Sequence, residues 1–415
     1  MHISILHYAA PPIIGGVEST IYHHARLLFQ AGYQISIVAG RGESINEKIP
    51  FILIPEADSR HPRVIEIGKQ LAAGETSEEF IQLRDEIFTS LSNSLRKSDL
   101  VIVHNAVTLH KNLPLTAALK LISERSEPRM LAWCHDFAWQ DALYIPDLHP
   151  GYPWDLLKTL WPGVEYVAVS DHRRQRLAKL LDIKATNIQV IPPGVDISEF
   201  LEISHTCQDF IDQTQLMDSE PVILLPARIT RRKNIEFAFQ VTALLKKNYP
   251  QVALIVTGPP GPHNLKNIEY LNSLLDLRKS LQIEPNIHFV YQIYGLDEVF
   301  NAPDYLISEL YRLSDLVLFP SLREGFGIPV LEAGIARIPI FASDIPPVRE
   351  SSAGMINLFD PQDEPIEVAD MIETFIENSR SYKLRRHVLK NYTWQSIVKN
   401  KIIPLLEGKG VESHD

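Results

Sequence analysis

The stretch LVLFPSLREGFGIPVLEAG at residues 316–334 contains one complete unit of the pattern that runs through the chain. It begins with the apolar run Leu316–Phe319, which is typical of a buried strand. A loop with two glycines follows, and Pro329 then suits the first turn of a helix. The order strand, glycine loop, helix is characteristic of α/β proteins.

The same order recurs on both sides of this stretch. Helices are predicted over Val17–Ala31 and Asn234–Asn248. The short, almost continuously apolar strands predict parallel sheets that are covered on both faces. The predicted strands are Ile3–His7, Gln34–Ala39, Leu100–His104, Met130–Trp133, Tyr166–Ser170, Val222–Pro226, Val252–Thr257, Ile287–Val290, Leu316–Phe319 and Ile340–Ala342.

A break in this alternation divides the chain. The segment IQVIPPGVDISEF at 188–200 is rich in proline and glycine, and the polar stretch 204–220 has no clear periodicity, so we predict a linker here. The predicted fold is α/β, with two doubly wound Rossmann-like domains at residues 1–200 and 201–385. Ligands of such sheets bind at the carboxyl ends of the strands, so we expect the site in a central cleft that the two domains face.

Composition excludes several classes of protein. Lys and Arg total 40 against 51 Asp and Glu, and a net charge of −11 disfavours general binding of nucleic acid or anionic membranes. The two cysteines, Cys134 and Cys207, are too few for a disulfide framework and suit the cytoplasm. No apolar run is long enough for a transmembrane helix. The scattered histidines predict no metal site, and the motifs of P-loop ATPases, serine hydrolases and dinucleotide-binding domains are missing.

Two carboxylates flank the glycine loop of residues 316–334. Gly325 and Gly327 let the backbone approach a ligand closely, and a helix N-terminus binds anions. Glu324 and Glu332, which we expect in the first helical turn, suit the hydroxyl groups of a sugar. The loop therefore fits a sugar phosphate. In the alternative interpretation, Glu332 only stabilises the helix dipole and Glu324 is solvated.

Arg228 and Lys233 follow a predicted strand and precede a helix, in the segment PARITRRKN at 226–234. Two cations at the carboxyl end of a sheet can neutralise a diphosphate. The alternative is a solvated basic turn, which is the interpretation we favour for Arg231 and Arg232.

The first half offers fewer candidates. Gly15 and Gly16 precede the first helix and permit close approach of a ligand, although a tight turn explains them equally well. His135 lies just past a predicted strand, where an imidazole suits a sugar hydroxyl or has a purely structural role. Two further segments suit an acceptor: the aromatic loop 149–157, and the basic run 172–176, for which the alternative is a solvated helix face.

Five segments together resemble the retaining family 4 glycosyltransferases, which have the GT-B fold. The most specific is EGFGIPVLE at 324–332, which matches the E-x7-E motif of the family. The others are IIGGVE at 13–18, VAVS at 167–170, VIPPGVDISEF at 190–200 and PARITRRKN at 226–234. One departure is Pro193, where the family often has asparagine.

This resemblance implies roles for the candidate residues. Arg228 and Lys233 would hold the diphosphate of a nucleotide sugar, Glu332 its ribose and Glu324 the hexose. His135 would lie near the transferred sugar, and with Arg228, Lys233 and Glu324 it forms the predicted catalytic set. The predicted donor-binding residues are Gly15, Gly16, Arg228, Lys233, Gly258, Glu324, Gly325, Phe326, Gly327 and Glu332.

The resemblance also implies an activity. A hexose, glucose or mannose, would be transferred from the nucleotide sugar to a hydroxyl of a sugar or glycan acceptor, with no metal and no cofactor besides that co-substrate. The first domain would face the acceptor, the second would bind the donor, and a terminal helix at 386–415 would cross back to the first. Peripheral membrane contact, the acceptor and the donor base (GDP, UDP or ADP) stay open. Two alternatives are a non-catalytic nucleotide-sugar-binding protein and a relative that hydrolyses or epimerises a nucleotide sugar.

Overall fold

A computed structural model of the chain describes residues 1–125, 128–260, 265–294 and 302–408. It divides into two compact units. The first comprises Met1–Val195 together with the described residues from Lys390 onward, and the second comprises Asp196–Leu389. The first unit thus ends at Val195 instead of residue 200 and resumes at Lys390 instead of residue 386.

The first unit contains a parallel sheet in the order β3-β2-β1-β4-β5-β6-β7. Its strands are β1 (His2–His7), β2 (Gln34–Ala39), β3 (Phe51–Leu53), β4 (Leu100–His104), β5 (Arg129–Cys134), β6 (Val164–Ala168) and β7 (Ile188–Val190). The helices that accompany these strands are α1 (Gly16–Gln30), α2 (Pro62–Ala72), α3 (Glu78–Ser94), α4 (Leu113–Ser123) and α5 (Asp171–Leu181).

The second unit contains a parallel sheet in the order β10-β9-β8-β11-β12-β13. Its strands are β8 (Val222–Leu225), β9 (Ala253–Val256), β10 (Ile287–Phe289), β11 (Leu316–Phe319), β12 (Ile340–Ser343) and β13 (Asn357–Phe359). Its helices are α6 (Ile197–Phe200), α7 (His205–Thr214), α8 (Ile235–Leu245), α9 (Leu265–Ser280), α10 (Val290–Ile293), α11 (Asp304–Leu313), α12 (Ile328–Ala336), α13 (Pro346–Ser352), α14 (Pro365–Asn378) and α15 (Arg380–Asn391), the last of which runs across the boundary at Lys390.

Both units are doubly wound Rossmann-like sheets, as the sequence predicts. In each sheet the first strand of the unit pairs with the second strand on one side and with the fourth on the other. The direction of winding therefore reverses between β1 and β4 and between β8 and β11. Ligands of open α/β sheets bind at the carboxyl ends of strands next to such a reversal. The segments that follow these four strands are therefore the places to search for a site.

Apolar residues cover both faces of each sheet. In β1, Ile3 and Ile5 belong to one buried cluster, whereas Leu6 belongs to the cluster on the opposite face. The same division holds in β8, where Ile223 and Val222 lie in different clusters. Successive side chains of a strand point to opposite faces, so a strand covered on both sides must be apolar throughout.

The end of the described chain packs on the first unit. It consists of α16 (Trp394–Ile397), a π-helical turn at Val398–Ile402 and α17 (Ile403–Leu406), rather than one regular helix. Trp394 is 3% exposed, and its ring lies 5.0 Å from that of His23 on α1. Arg129 of β5 donates to the main-chain carbonyls of Leu405 and Leu406, which satisfies groups that a helix end leaves open.

The predicted linker at 204–220 is wrong, because most of it folds onto the second unit. Ser204 caps α7 by accepting a hydrogen bond from the amide of Cys207. Cys207, Phe210 and Ile211 are buried in the core of the second unit at the spacing of one helical face. Only three apolar residues mark this face, so the surrounding polar residues hide its period.

Several strand and helix boundaries also differ. The strand predicted at Tyr166–Ser170 is β6, which ends at Ala168 because Ser170 caps α5. The helix predicted to reach Asn248 ends at Leu245. The sequence did not predict β3, β7 or β13, which have three residues each and lie at the edges of their sheets. No helix in the described ranges is both long and apolar enough to cross a membrane.

Candidate active site

The loops after β8 and β9 join at the carboxyl end of the second sheet. The amide of Gly258 donates to the carbonyl of Ala227 at 3.0 Å, and the amide of Ile229 donates to that of Pro259 at 3.1 Å. A Cβ on Gly258 would lie 2.5 Å from the Cα of Arg228, so only glycine permits this approach. The joined loops thereby fix the main chain at Arg228, whose side chain is exposed.

Lys233 and Glu324, which were predicted to contact the donor separately, bind each other. The ammonium Nζ of Lys233 lies 2.5 Å from Oε1 of Glu324, and both side chains are buried. Arg232, predicted to be solvated, is a second partner of this carboxylate: its Nη1 lies 3.1 Å from Oε2. The pair connects the loops after β8 and β11, the two strands at the reversal of winding.

The electrostatics of this pair follow from burial and charge. Burial alone would raise the pKa of Glu324, but the hydrogen bond from Lys233 and the nearby charges of Lys233 and Arg232 outweigh it and lower that pKa. Burial lowers the pKa of Lys233, and the contact with Glu324 offsets only part of this effect. Two cations and one carboxylate leave a net positive charge within this cluster of three side chains.

The glycine loop leads directly into α12. Gly327 is the N-cap of that helix and has a φ of 95°, a backbone conformation that favours glycine. Gly325 and Phe326 precede it and are exposed. The amides at the start of α12 therefore stand at the carboxyl end of β11, in the arrangement that binds anions.

Glu332 does not lie in the first helical turn, contrary to the prediction. It is the fifth residue of α12, because the helix begins at Ile328 and has Pro329 in its second position. Its carboxylate Oε2 accepts a hydrogen bond of 2.7 Å from the hydroxyl of Tyr311 on α11. Burial raises the pKa of Tyr311, and the Glu332 carboxylate raises it further, so this tyrosine remains a hydrogen-bond donor.

A cavity of about 1270 Å³ brings part of the predicted set together. Arg228, Gly258 and Glu332 line it, and Tyr311 forms part of its wall. Apolar side chains of α12 cover another part, among them Ile328 and Leu331. Lys233 and Glu324 are not among the lining residues. The cavity thus offers a cation, a close main-chain approach, a carboxylate and an apolar wall, which suits a molecule with a charged and an apolar part.

Gly15, Gly16 and His135 lie in the first unit. Gly15 is the N-cap of α1, and Gly16 is its first residue. A Cβ on Gly15 would overlap the Glu18 carboxylate, whereas Gly16 has open space around its Cα. His135 directly follows β5, the neighbour of β4 in the sheet. All three residues therefore lie near the carboxyl ends of the central strands of the first sheet.

The imidazole of His135 belongs to a group of histidines. Its Nε2 lies 3.3 Å from Nδ1 of His104, the last residue of β4. Burial and the charge of Arg173 lower the pKa of His135 to about 4, so the ring is neutral at pH 7. Burial lowers the pKa of His7 to about 4 and that of His24 to about 3.

The basic run at 172–176 is engaged within the chain. Arg173 lies 3.0 Å from the carboxylate of Asp136, Arg174 pairs with Asp171, and Arg176 donates to Gln140. These contacts argue against an arginine patch that is free to bind an anionic surface. In the aromatic loop at 149–157, Trp154 is buried and its carbonyl accepts from the indole of Trp139 at 3.0 Å.

The sequence did not identify Tyr311, His104 or Asn105 as functional residues. It also predicted that Arg232 is solvated. Arg232 and Tyr311 hold the two glutamates, whereas His104 and Asn105 contact the segment that carries His135. The only sequence signal for His104 and Asn105 was their place at the end of an apolar strand. Tyr311 carries no such signal, because it lies on one face of an amphipathic helix.

Comparison with known proteins identifies the family. The sequence model described as Glycosyltransferase Family 4 matches residues 14–199, and that described as Glycosyl transferases group 1 matches residues 208–393. The chain is 25% identical over 384 residues to the mannosylglucosylglycerate synthase of Thermotoga maritima. The aligned region covers 84% of this chain and 83% of the relative.

A second relative and a solved structure are also similar to this chain. The chain is 26% identical over 197 residues to the D-inositol 3-phosphate glycosyltransferase of Nocardia farcinica. This aligned region covers 46% of this chain and 40% of the relative. The chain is 17% identical to the crystal structure of Anabaena HepE in complex with UDP, over 98% of this chain and 100% of that one, with a TM-score of 0.36.

The two family models lie in succession along the chain, and each covers most of one strand-and-helix unit. Together with the two doubly wound sheets, they show that this chain belongs to the family 4 glycosyltransferases and has their GT-B fold.

Proposed function

We propose that this glycosyltransferase moves a hexosyl group from a nucleotide-diphosphate sugar to a hydroxyl of a sugar-type acceptor, with retention of the anomeric configuration. The observation that carries the proposal is the cavity of the second unit, where Arg228, Gly258 and Glu332 lie around one space. Its volume of about 1270 Å³ is ample for a nucleotide sugar.

Each part of the donor has a suitable group in this unit. The guanidinium of Arg228 pairs with the diphosphate, and the closely packed main chain at Gly258 lets the phosphates approach. The carboxylate of Glu332, oriented by Tyr311, accepts hydrogen bonds from the ribose hydroxyls. The amides of Gly325, Phe326 and Gly327, with the net positive charge around Lys233, stabilise the anion.

In the proposed mechanism the acceptor hydroxyl attacks the anomeric carbon from the face that the nucleotide leaves. The bond from that carbon to the diphosphate oxygen breaks, a bond to the acceptor oxygen forms, and a diphosphate oxygen takes the hydroxyl proton. Arg228 and Lys233 stabilise the charge on the leaving diphosphate. One such lost donor typically costs on the order of 3 kcal/mol of transition-state stabilisation.

Glu324 and His135 act on the hexose in this proposal. Glu324 accepts from a hexose hydroxyl while Lys233 and Arg232 orient its carboxylate. His135 is neutral at pH 7 because its pKa is about 4, so it contributes a hydrogen bond rather than a charge.

The acceptor that we favour is a small polyhydroxylated molecule. The names of two relatives, mannosylglucosylglycerate synthase and D-inositol 3-phosphate glycosyltransferase, combine a sugar or polyol with an acidic group. We place the reaction in the cytoplasm, because Cys134 and Cys207 are buried free thiols that suit a reducing compartment.

The first experiment is thermal unfolding of the full chain with UDP, GDP and ADP and with their glucose and mannose derivatives. A ligand at 100 times its Kd stabilises the folded protein by about 2.7 kcal/mol. We expect one base to raise Tm clearly, and Arg228→Ala to abolish that rise. If no nucleotide raises the Tm of the folded protein, the donor site proposed here is wrong.

The second experiment offers the selected donor to sugar, glycerate and inositol acceptors and follows the product by proton NMR. We expect a glycosidic product with the anomeric configuration of the donor. An inverted product would contradict retention. Free hexose or an epimerised nucleotide without glycoside would favour the hydrolase or epimerase alternative, and binding without turnover would favour a binding protein.

A further inference from the structure

Two consecutive residues at the end of β4 contact the segment that carries His135. β4 lies between β1 and β5 in the first sheet, at the reversal of winding. His104 is the last residue of this strand, and Asn105 is the first residue after it. Their side chains therefore stand beside the residues that follow β5.

Asn105 holds the main chain of this segment. Its side-chain Oδ1 accepts hydrogen bonds from the amide of His135 at 2.8 Å and from the amide of Asp136 at 3.3 Å. Asn105 is 4% exposed and has a φ of 57°. Asparagine tolerates this left-handed conformation better than most residues, and such conformations are concentrated at functional sites.

His104 holds the ring of His135. The imidazole of His104 is fully buried, and its Nδ1 lies 3.3 Å from Nε2 of His135. The main-chain carbonyl of His104 accepts from Nδ1 of His7 at 2.9 Å, which fixes the end of β4. Burial lowers the pKa of His104 well below its usual range, so this ring is also neutral.

The hydrogen bonds of His104 indicate its tautomer. Within the described ranges, its Nε2 is buried and has no hydrogen-bond partner. A buried N–H without an acceptor is rare, so we assign the proton to Nδ1 and leave Nε2 bare. The Nδ1–H of His104 then donates to Nε2 of His135, and the proton of His135 resides on its own Nδ1.

We propose that His104 and Asn105 are positioning residues that act through His135. Asn105 fixes the main chain, and His104 fixes the tautomer, so that His135 presents Nδ1–H as a hydrogen-bond donor to the transferred sugar. This inference rests on the proposed function, because it assumes the role of His135 near that sugar. The hydrogen bonds themselves belong to the first unit alone.

Two substitutions of His104 separate a positioning role from a packing role. In His104→Asn the side-chain amide stands where Nδ1 was, whereas in His104→Gln it reaches the place of Nε2. We expect His104→Asn to retain kcat within about threefold, and His104→Gln to lose kcat on the order of 10²-fold with little change in the KM of the donor. Equal losses in both variants would overturn the proposal.

A double substitution tests whether His104 acts through His135. Residues that work as a unit give non-additive losses, so His104→Gln should slow a His135→Ala variant no further. A further loss of kcat in that background would contradict the proposal. Asn105→Gly keeps a left-handed backbone accessible but removes both side-chain hydrogen bonds, so we expect it to lower kcat as well.

The matched control is His24→Gln. The ring of His24 is buried, and its centroid lies 5.5 Å from that of His104. In the described structure it makes no hydrogen bond to His135. We expect this variant to lose stability but to retain kcat. A loss of kcat as large as that of His104→Gln would show that disturbing the cluster alone explains the effect.

The nitrogen-15 NMR spectrum of labelled histidines gives a readout that needs no turnover. We expect His135 to be protonated at Nδ1 in the wild type and in His104→Asn, and a mixture of tautomers in His104→Gln. A wild-type His135 protonated at Nε2 overturns the inference even in an active enzyme. A protein that transfers no sugar but shows the expected tautomers would instead contradict the proposed function.

Discussion

At the scale of single residues, the predicted site changes most at Lys233 and Glu324. The sequence places each of them separately on the donor. In the structure the ammonium of Lys233 lies 2.5 Å from the carboxylate of Glu324, and Lys233 is only 8% exposed. Each side chain therefore stabilises the other's charge, and neither can be removed without leaving a buried charge partly unpaired.

Glu324→Gln is expected to lower the free energy of unfolding by about 1–3 kcal/mol at pH 7, because it leaves Lys233 without its carboxylate. The pKa of Glu324 is lowered in the folded state, so its stabilisation is present above pH about 4.3 and is lost as pH falls through the folded pKa. The difference in the free energy of unfolding between Glu324→Gln and the wild type, measured by denaturant unfolding, should therefore be smaller at pH 3 than at pH 7.

The control for that series is Glu350→Gln, which changes an exposed glutamate on α13. We expect it to leave stability unchanged within about 0.5 kcal/mol. A Glu324→Gln variant as stable as this control would show that the ion pair contributes nothing to the folded state.

Tyr311→Phe is expected to raise the KM of the donor several-fold with little change in kcat. The hydroxyl of Tyr311 orients the Glu332 carboxylate at 2.7 Å, and the variant removes this hydrogen bond while keeping the buried ring. Loss of one such bond also costs about 1 kcal/mol of stability. Steady-state kinetics and denaturant unfolding check both effects, and an unchanged KM would remove Tyr311 from the donor site.

At the scale of elements, the site depends on how the loops that follow parallel strands pack together. The loops after β8 and β9 approach so closely that Gly258 has no room for a side chain. The glycine loop before α12 is different, because a Cβ on Gly325 would have nothing within 4 Å. Glycine thus has a steric reason at Gly258, whereas a side chain at Gly325 would face open space.

Gly258→Ala is expected to weaken donor binding at least tenfold and to cost about 1–3 kcal/mol of stability. The new Cβ would lie 2.5 Å from the Cα of Arg228 and 2.6 Å from the carbonyl oxygen of Ala227, so the loops must separate and displace Arg228. Donor titration and thermal unfolding measure the two effects.

Gly68→Ala is the matched control, since Gly68 is exposed in α2 and its Cβ would meet no atom within 4 Å. This change should leave donor binding intact and stabilise the protein by about 0.5–1 kcal/mol. If Gly258→Ala bound the donor as well as this control does, the close packing of the loops would have no bearing on Arg228.

For the molecule as a whole, the final described segment, from Trp394 to Leu406, packs on the first unit and stabilises it. In sequence, the entire second unit lies between this segment and the rest of the first unit. Trp394, Ile397 and Ile402 are buried in the same cluster as Ile21 of α1. All five tryptophans belong to the first unit: Trp133, Trp139, Trp154, Trp161 and Trp394. Tryptophan fluorescence therefore reports the unfolding of that unit alone, whereas far-UV circular dichroism reports both.

Trp394→Ala is expected to destabilise the first unit by about 3–5 kcal/mol, since it removes a large buried ring. The fluorescence transition should shift to lower denaturant, and part of the circular dichroism transition should stay near its wild-type midpoint. Coincident shifts of both signals would mean that the two units unfold together.

The first unit is also expected to lose stability in mild acid. The pKa values of His7, His24 and His135 are about 4, 3 and 4 in the folded state, against about 6.5 in an unfolded chain. The unfolded state therefore binds more protons below pH about 6.5, so stability falls from there toward pH 4. His24→Phe should reduce this dependence of the fluorescence midpoint on pH, and an unchanged dependence would contradict the buried neutral imidazole.

The sequence alone predicts the alternation of strands and helices, a change of unit near residue 200, close to the observed boundary at Val195, and the segments that identify the family. These features are local, because the apolar pattern of a strand or helix and the glycines and prolines at its ends lie within a few residues of one another. Where the local signal is weak, as in the three apolar residues of α7 or the three-residue edge strands, the prediction fails.

Which side chains meet depends on how the chain folds in three dimensions. Lys233 and Glu324 are 91 positions apart, and Asn105 and the His135 amide are 30 apart, so their contacts depend on the order of strands in each sheet. Parallel strands bring their carboxyl ends together whatever their separation in sequence. For that reason the loops could be predicted as the place of the candidate site, whereas the ion pair, the Tyr311 hydrogen bond and the histidine pair could not.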